Sequence, residues 1–78
     1  MTLDEKVINI IAEQLGRETA ECKPEAAFIE DLGVDSLDLF ELVMVMEDKF
    51  QVTISDEELK NIRTIQDIIN FLKSQGVE

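Results

Sequence analysis

Four separate helix starts are spelled out within 78 residues, and no other feature narrows the fold as much. Each is an oxygen-bearing side chain followed three residues later by an acid, an arrangement that satisfies free N–H groups in a first helical turn. They fall at Thr2 with Glu5, Asp35 with Asp38, Ser55 with Glu58, and Thr64 with Asp67. The Thr2 and Ser55 pairs read as complete capping boxes, and the Asp35 and Thr64 pairs as weaker variants. Val34 with Leu39, and Ile54 with Leu59, are spaced to staple the second and third starts.

Apolar periodicity extends each start. The first helix is expected over about 3–15, with Leu3, Val7, Ile8, Ile10, Ile11 and Leu15 on one face and Gly16 as its C-terminal cap. The second runs over about 36–50, the third is short after Ser55, and the fourth covers about 65–74. Ile65, Ile68, Ile69 and Leu72 form the inner face of the fourth. Pro24 argues against a continuous helix across 17–34, so this long stretch is expected to be a loop. Phe28, Ile29, Leu32 and Val34 are expected to pin it to the core, with room for a turn of helix. Gln51–Ile54 has strand-like residues but no partner strand, and reads as a connector. The expected fold class is all-α: a small four-helix bundle with a long loop between helices 1 and 2 and a short third helix. Residues 1–78 form one domain.

With no Trp or Tyr, four Phe and three Met, the core is mainly aliphatic and easily repacked. A net charge of −11 argues against nucleic acid and anionic membrane surfaces, and favours partners with basic patches. The charge is not evenly spread. From Glu30 to Leu59 there are ten acids and one base, Lys49, against eight acids and six bases elsewhere. No run is long enough to span a membrane and no signal peptide is visible, so a cytoplasmic monomer is the default expectation. Cys22 is the only cysteine and reads as an inert loop thiol, although Lys23 beside it could lower its pKa slightly.

The second helix carries two apolar faces. Leu39, Leu42, Val43, Met46 and Phe50 share the core face. Leu37, Phe40 and Met44 fall on another side, among Glu41, Glu47 and Asp48. An apolar patch rimmed by charge marks a partner surface, although Phe40 alone could equally be a half-buried edge of the core.

Catalytic groups are missing. Without a histidine there is no Ser-His or Cys-His pair, and Cys22 has no companion for zinc. The three glycines are too scattered for a phosphate loop, and residues 31–42 place Gly33 and Leu42 where calcium ligands belong. Ser36 remains. Most serines at a helix start only cap it, but Asp35 already caps here and leaves the Ser36 hydroxyl free. A phosphodiester at Ser36 would sit near unpaired N–H groups and the positive end of the helix dipole.

Residues 31–38, Asp-Leu-Gly-Val-Asp-Ser-Leu-Asp, resemble the modification motif of bacterial-type acyl carrier proteins. The resemblance extends through Ile10–Gly16, Phe28–Gly33, Glu41–Met44, Ile54–Glu58 and Ile62–Ile65, nearly the whole chain. It implies a non-catalytic carrier of acyl thioesters on a covalent 4′-phosphopantetheine arm. The arm would be placed on Ser36, flanked by Asp35, by a phosphopantetheinyl transferase (a holo-acyl carrier protein synthase) using coenzyme A. It further implies that Asp35, Leu37, Asp38, Phe40, Glu41, Met44, Glu47 and Asp48 dock fatty acid synthesis enzymes and acyltransferases with basic patches. Met46, Ile54, Leu59, Ile62 and Ile68 match positions lining the acyl pocket, a role compatible with ordinary core packing. Two residues depart from the family pattern. Phe40 is bulkier than the usual small aliphatic, which could alter partner preference, and Ile68 replaces a common alanine, which could shorten the pocket. The expected setting is fatty acid biosynthesis by discrete enzymes, since no linker suggests a piece of a multienzyme. The alternatives are a polyketide or specialised lipid pathway, or an acidic interaction subunit of a larger assembly. Asp35 and the acid cluster weigh against a peptidyl carrier.

Overall fold

The computed structural model describes residues 1–78 and contains four α-helices: α1 (Leu3–Leu15), α2 (Ser36–Phe50), α3 (Asp56–Lys60) and α4 (Ile65–Ser74). All four begin after the expected caps. Thr2, Asp35, Ser55 and Thr64 each accept a hydrogen bond from the backbone N–H three residues on. The two weaker variants behave differently from each other. Asp67 closes a full box, its Oδ2 accepting from Thr64 N–H (3.1 Å) and also from Arg63 N–H (2.9 Å). Asp38 returns no bond, so α2 is capped only by Asp35, at 2.8 Å. Gly16 ends α1 in the left-handed region at φ 66°, where its missing Cβ avoids strain.

Val7, Ile11, Leu42, Met46, Ile65, Ile68, Ile69 and Leu72 are fully buried at the centre of the bundle. Ala12, buried beside Ile11, belongs to the inner face of α1 although its small size hides it from a periodicity argument. Within the core, α1 packs against α4. No polar side chain is buried, so the interior is an uninterrupted apolar cluster.

The long loop is ordered by hydrogen bonds. It forms one 3-10 turn at Thr19–Glu21 and then runs beside the start of α4. There Gln66 N–H donates to Pro24 O (2.8 Å), Phe28 N–H to Arg63 O (2.9 Å) and Ile65 N–H to Ala26 O (3.2 Å). These bonds frame one isolated antiparallel bridge between Ala27 and Thr64. Arg17 Nη2 donates to Leu32 O at 2.7 Å and ties the loop to the end of α1. Phe28, Leu32 and Val34 are buried as expected, and Ile29 is not: it is 54% exposed. A tight turn, in which Asp31 and Leu32 N–H both donate to Ala27 O, points Phe28 and Leu32 inward and leaves Ile29 outside. Residues 51–54 form a connector with no strand, as the sequence implied.

Candidate functional site

Ser36 is the first residue of α2 and is exposed. Local sequence explains why its hydroxyl is free. Asp35 adopts an extended backbone (φ −87°, ψ 174°), and its carboxylate takes the capping bond that Ser36 would otherwise make. Ser36 opens onto a cleft between two helices, with Leu39 and Phe40 on the α2 wall and Asp56, Leu59 and Lys60 on the α3 wall. A second trough adjoins it and shares Leu39, Leu59 and Lys60. The trough continues past Phe28, Ile29 and Ile62 to Glu30 and Arg63. A path with an apolar floor therefore leads from the Ser36 hydroxyl along the α2–α3 seam.

The exposed face of α2 matches the sequence reading. Leu37, Phe40 and Met44 are 68%, 49% and 63% exposed, unusual for large apolar side chains, and they lie among the exposed acids Asp38, Glu41 and Asp48. Glu47 is half-buried instead, and its Oε2 accepts a 2.8 Å hydrogen bond from Ile54 N–H. It thus clasps the connector between α2 and α3.

The residues expected to line an acyl pocket divide into two groups. Leu59 and Ile62 line the trough. Met46 and Ile68 are fully buried in the packed core, and half-buried Ile54 packs against it. Leu39, expected on the core face of the second helix, also lines the cleft, together with Asp56 and Lys60, which the sequence did not single out.

Cys22 lies away from this site and is buried. Burial pushes its thiol pKa up and Glu21 adds to the rise, with Arg17 opposing. Lys23 therefore does not activate it. No cluster of three or more His, Cys, Asp or Glu side chains is placed to hold a metal ion. No helix is long and apolar enough to cross a membrane.

The site is thus an exposed serine at a capped helix start, opening on an apolar seam between α2 and α3. The profile of the family described as "Phosphopantetheine attachment site" matches residues 5–72. The acyl carrier protein of Syntrophus aciditrophicus is 60% identical over 77 residues, covering 99% of this chain and 96% of that one. That of Solidesulfovibrio magneticus is 51% identical over the full length of both chains, 78 residues. A solved structure assigned as an acyl carrier protein from Mycobacterium tuberculosis superposes with a TM-score of 0.88 at 28% identity, covering 95% of this chain and 99% of that one. The chain belongs to the acyl carrier protein family, non-catalytic carriers acted on by separate enzymes. Members bear a covalently attached 4′-phosphopantetheine, which supplies the thiol that holds acyl groups as thioesters. The residues present fit such a group, since an accessible hydroxyl adjoins an open apolar seam.

Proposed function

We propose that Ser36 is the attachment point of the 4′-phosphopantetheine arm and that the protein carries acyl intermediates of fatty acid biosynthesis among discrete enzymes of the cytoplasm. The observation that supports this most directly is the division of labour at the start of α2. Asp35 holds the helix cap, so the Ser36 hydroxyl faces the cleft uncommitted. In the loading step, catalysed by a separate transferase, Ser36 Oγ forms a bond to the β-phosphorus of coenzyme A. The pyrophosphate bridge breaks, adenosine 3′,5′-bisphosphate leaves, and the serine proton passes to a base or to solvent. The chain's own contribution is presentation: an accessible nucleophile near the positive end of a helix of 15 residues.

Partners read the surface beside the arm. Leu37, Phe40 and Met44 offer apolar contact, and Asp35, Asp38, Glu41 and Asp48 offer charge to a basic patch. Glu47 belongs to the same stretch, with its carboxylate partly committed to Ile54. An acyl chain enters past Leu39, Leu59 and Ile62, and a longer one displaces Met46, Ile54 and Ile68, which the mainly aliphatic packing permits.

Intact mass measured before and after incubation with coenzyme A, magnesium and a broad-specificity phosphopantetheinyl transferase tests the attachment. Wild type is expected to gain one phosphopantetheine, and Ser36→Ala none while keeping its helical circular dichroism. Gain by the Ser36→Ala variant would move the site elsewhere. No gain by folded, unmodified wild type would leave an acidic interaction subunit as the better reading.

A further inference from the structure

We infer that Lys60 is a positioning residue for the arm: its ammonium pairs with the phosphodiester on Ser36 and directs the arm into the α2–α3 seam. The inference rests on the reading of Ser36 as the attachment site.

Ser36 and Lys60 lie on opposite walls of one cleft, and Lys60 is the only cation lining it. Its charge is also uncommitted. The ion pairs of the protein are Arg17–Glu21 and Lys73–Asp4, and Lys60 enters neither. Asp56 stands four residues earlier on the same helix, the spacing for a pair, yet no such pair forms.

The other charges around Ser36 are all negative. Asp35 precedes it as the N-cap, Asp38 follows it in the first turn of α2, and Asp56 faces it from α3. A phosphodiester adds one more negative charge to this corner. These three carboxylates repel it, and the one group of opposite sign lining the cleft is Lys60. Attraction toward Lys60 pulls the root of the arm across the cleft. From there the adjoining trough, which shares Leu39, Leu59 and Lys60, presents an apolar floor leading to Ile62. Lys60 thus biases the arm toward the seam, where an acyl chain is shielded, and away from the acidic outer face of α2. Because the pair is exposed, the bias is modest and salt-sensitive.

A nitroxide on the arm thiol reads this directly. Cys22 is buried with its thiol pKa raised, so the label reaches the arm and leaves the apo-protein unlabelled. Intact mass first establishes that wild type, Lys60→Gln and Lys60→Arg each carry one phosphopantetheine, and circular dichroism that each is folded. Paramagnetic broadening of the Leu59 and Ile62 amide signals then measures the time the arm spends over the seam. In Lys60→Gln it is expected to fall roughly 1.5- to five-fold, the range for an exposed ion pair. Lys60→Arg should retain it, and wild type should lose it as salt is raised. Equal broadening in wild type and Lys60→Gln, or equal loss in Lys60→Gln and Lys60→Arg, would overturn the role of Lys60 while leaving attachment at Ser36 intact. Failure of wild type to gain the group would overturn both.

Discussion

A carboxylate three residues into a helix can do two jobs, and Asp67 does both. It closes the Thr64 capping box and also accepts from Arg63 N–H, which holds the approach to α4 against the long loop. The Arg63 bond is the leading cause of its pKa falling below the ordinary 3.8, with the Thr64 bonds adding to it and partial burial opposing. The sign follows from the depressed value. The stabilisation is fully present above 3.8 and is lost as pH falls through the lower folded-state pKa. Glu5, held below its ordinary 4.5 by the Thr2 backbone and hydroxyl, contributes in the same direction. Denaturant melts taken from about pH 6 down to about pH 2 should show a shallower loss of stability in Asp67→Asn than in wild type. Parallel curves for the two proteins would show that this carboxylate does not contribute to acid unfolding.

Among the elements, α3 is the least self-sufficient. Five residues cannot sustain a helix by themselves, so its position depends on its cap, on Leu59 and on the connector before it. The connector in turn is held by Glu47, whose carboxylate accepts from Ile54 N–H across the α2–α3 junction. Removal of this bond in Glu47→Ala should cost about 1 kcal/mol, because the Ile54 amide can recover water. Hydrogen exchange should quicken first at Ile54 and through α3, with α1 and α4 little changed. Uniform quickening across all helices would mean that Glu47 supports the whole bundle. This dual commitment also guides tests of docking. Glu41→Lys with Asp48→Lys changes exposed charge without touching the connector, whereas reversal at Glu47 changes both. The Glu41/Asp48 double variant should weaken binding to a partner with a basic patch, by a margin that shrinks as salt is raised. Unchanged binding at low salt would count against an electrostatic interface.

For the whole molecule, the decisive property is a core that is apolar throughout yet bounded by a weak wall. Ile68 is fully buried and fills a place that resemblance gives to a smaller residue. Ile68→Ala should lower stability by about 2–4 kcal/mol, the cost of lost burial and a residual cavity, which is a large share for a small domain. An acyl chain that reaches the vacated space would repay part of that loss by binding only the folded state. The melting temperature should therefore rise more on acylation in Ile68→Ala than in wild type. An equal rise in both would place the end of the chain away from Ile68. The acidic field acts at the same scale. With ten acids and one base from Glu30 to Leu59, the field would steer a basic partner toward α2 and the mouth of the seam rather than toward the α1–α4 side.

The helices were legible in the chain alone, because capping and periodicity act within a few residues. The bounds of α1, α2 and α4 and the position of Ser36 behind a self-sufficient Asp35 cap follow from neighbours in the chain. The exposed face of Leu37, Phe40 and Met44 was legible for the same reason, since it depends only on the pitch of one helix. What required the tertiary structure was everything set by contacts between elements. Ile29 looked like an anchor and is exposed, because a tight turn gives the inward positions to Phe28 and Leu32. Glu47 looked purely superficial and reaches another segment's backbone. The path from Ser36 to Ile62, with Lys60 at its lip, exists only because α3 and the segment after it are folded back beside α2. Such long-range placement is decided by packing and loop closure, for which no short stretch of sequence carries a signal.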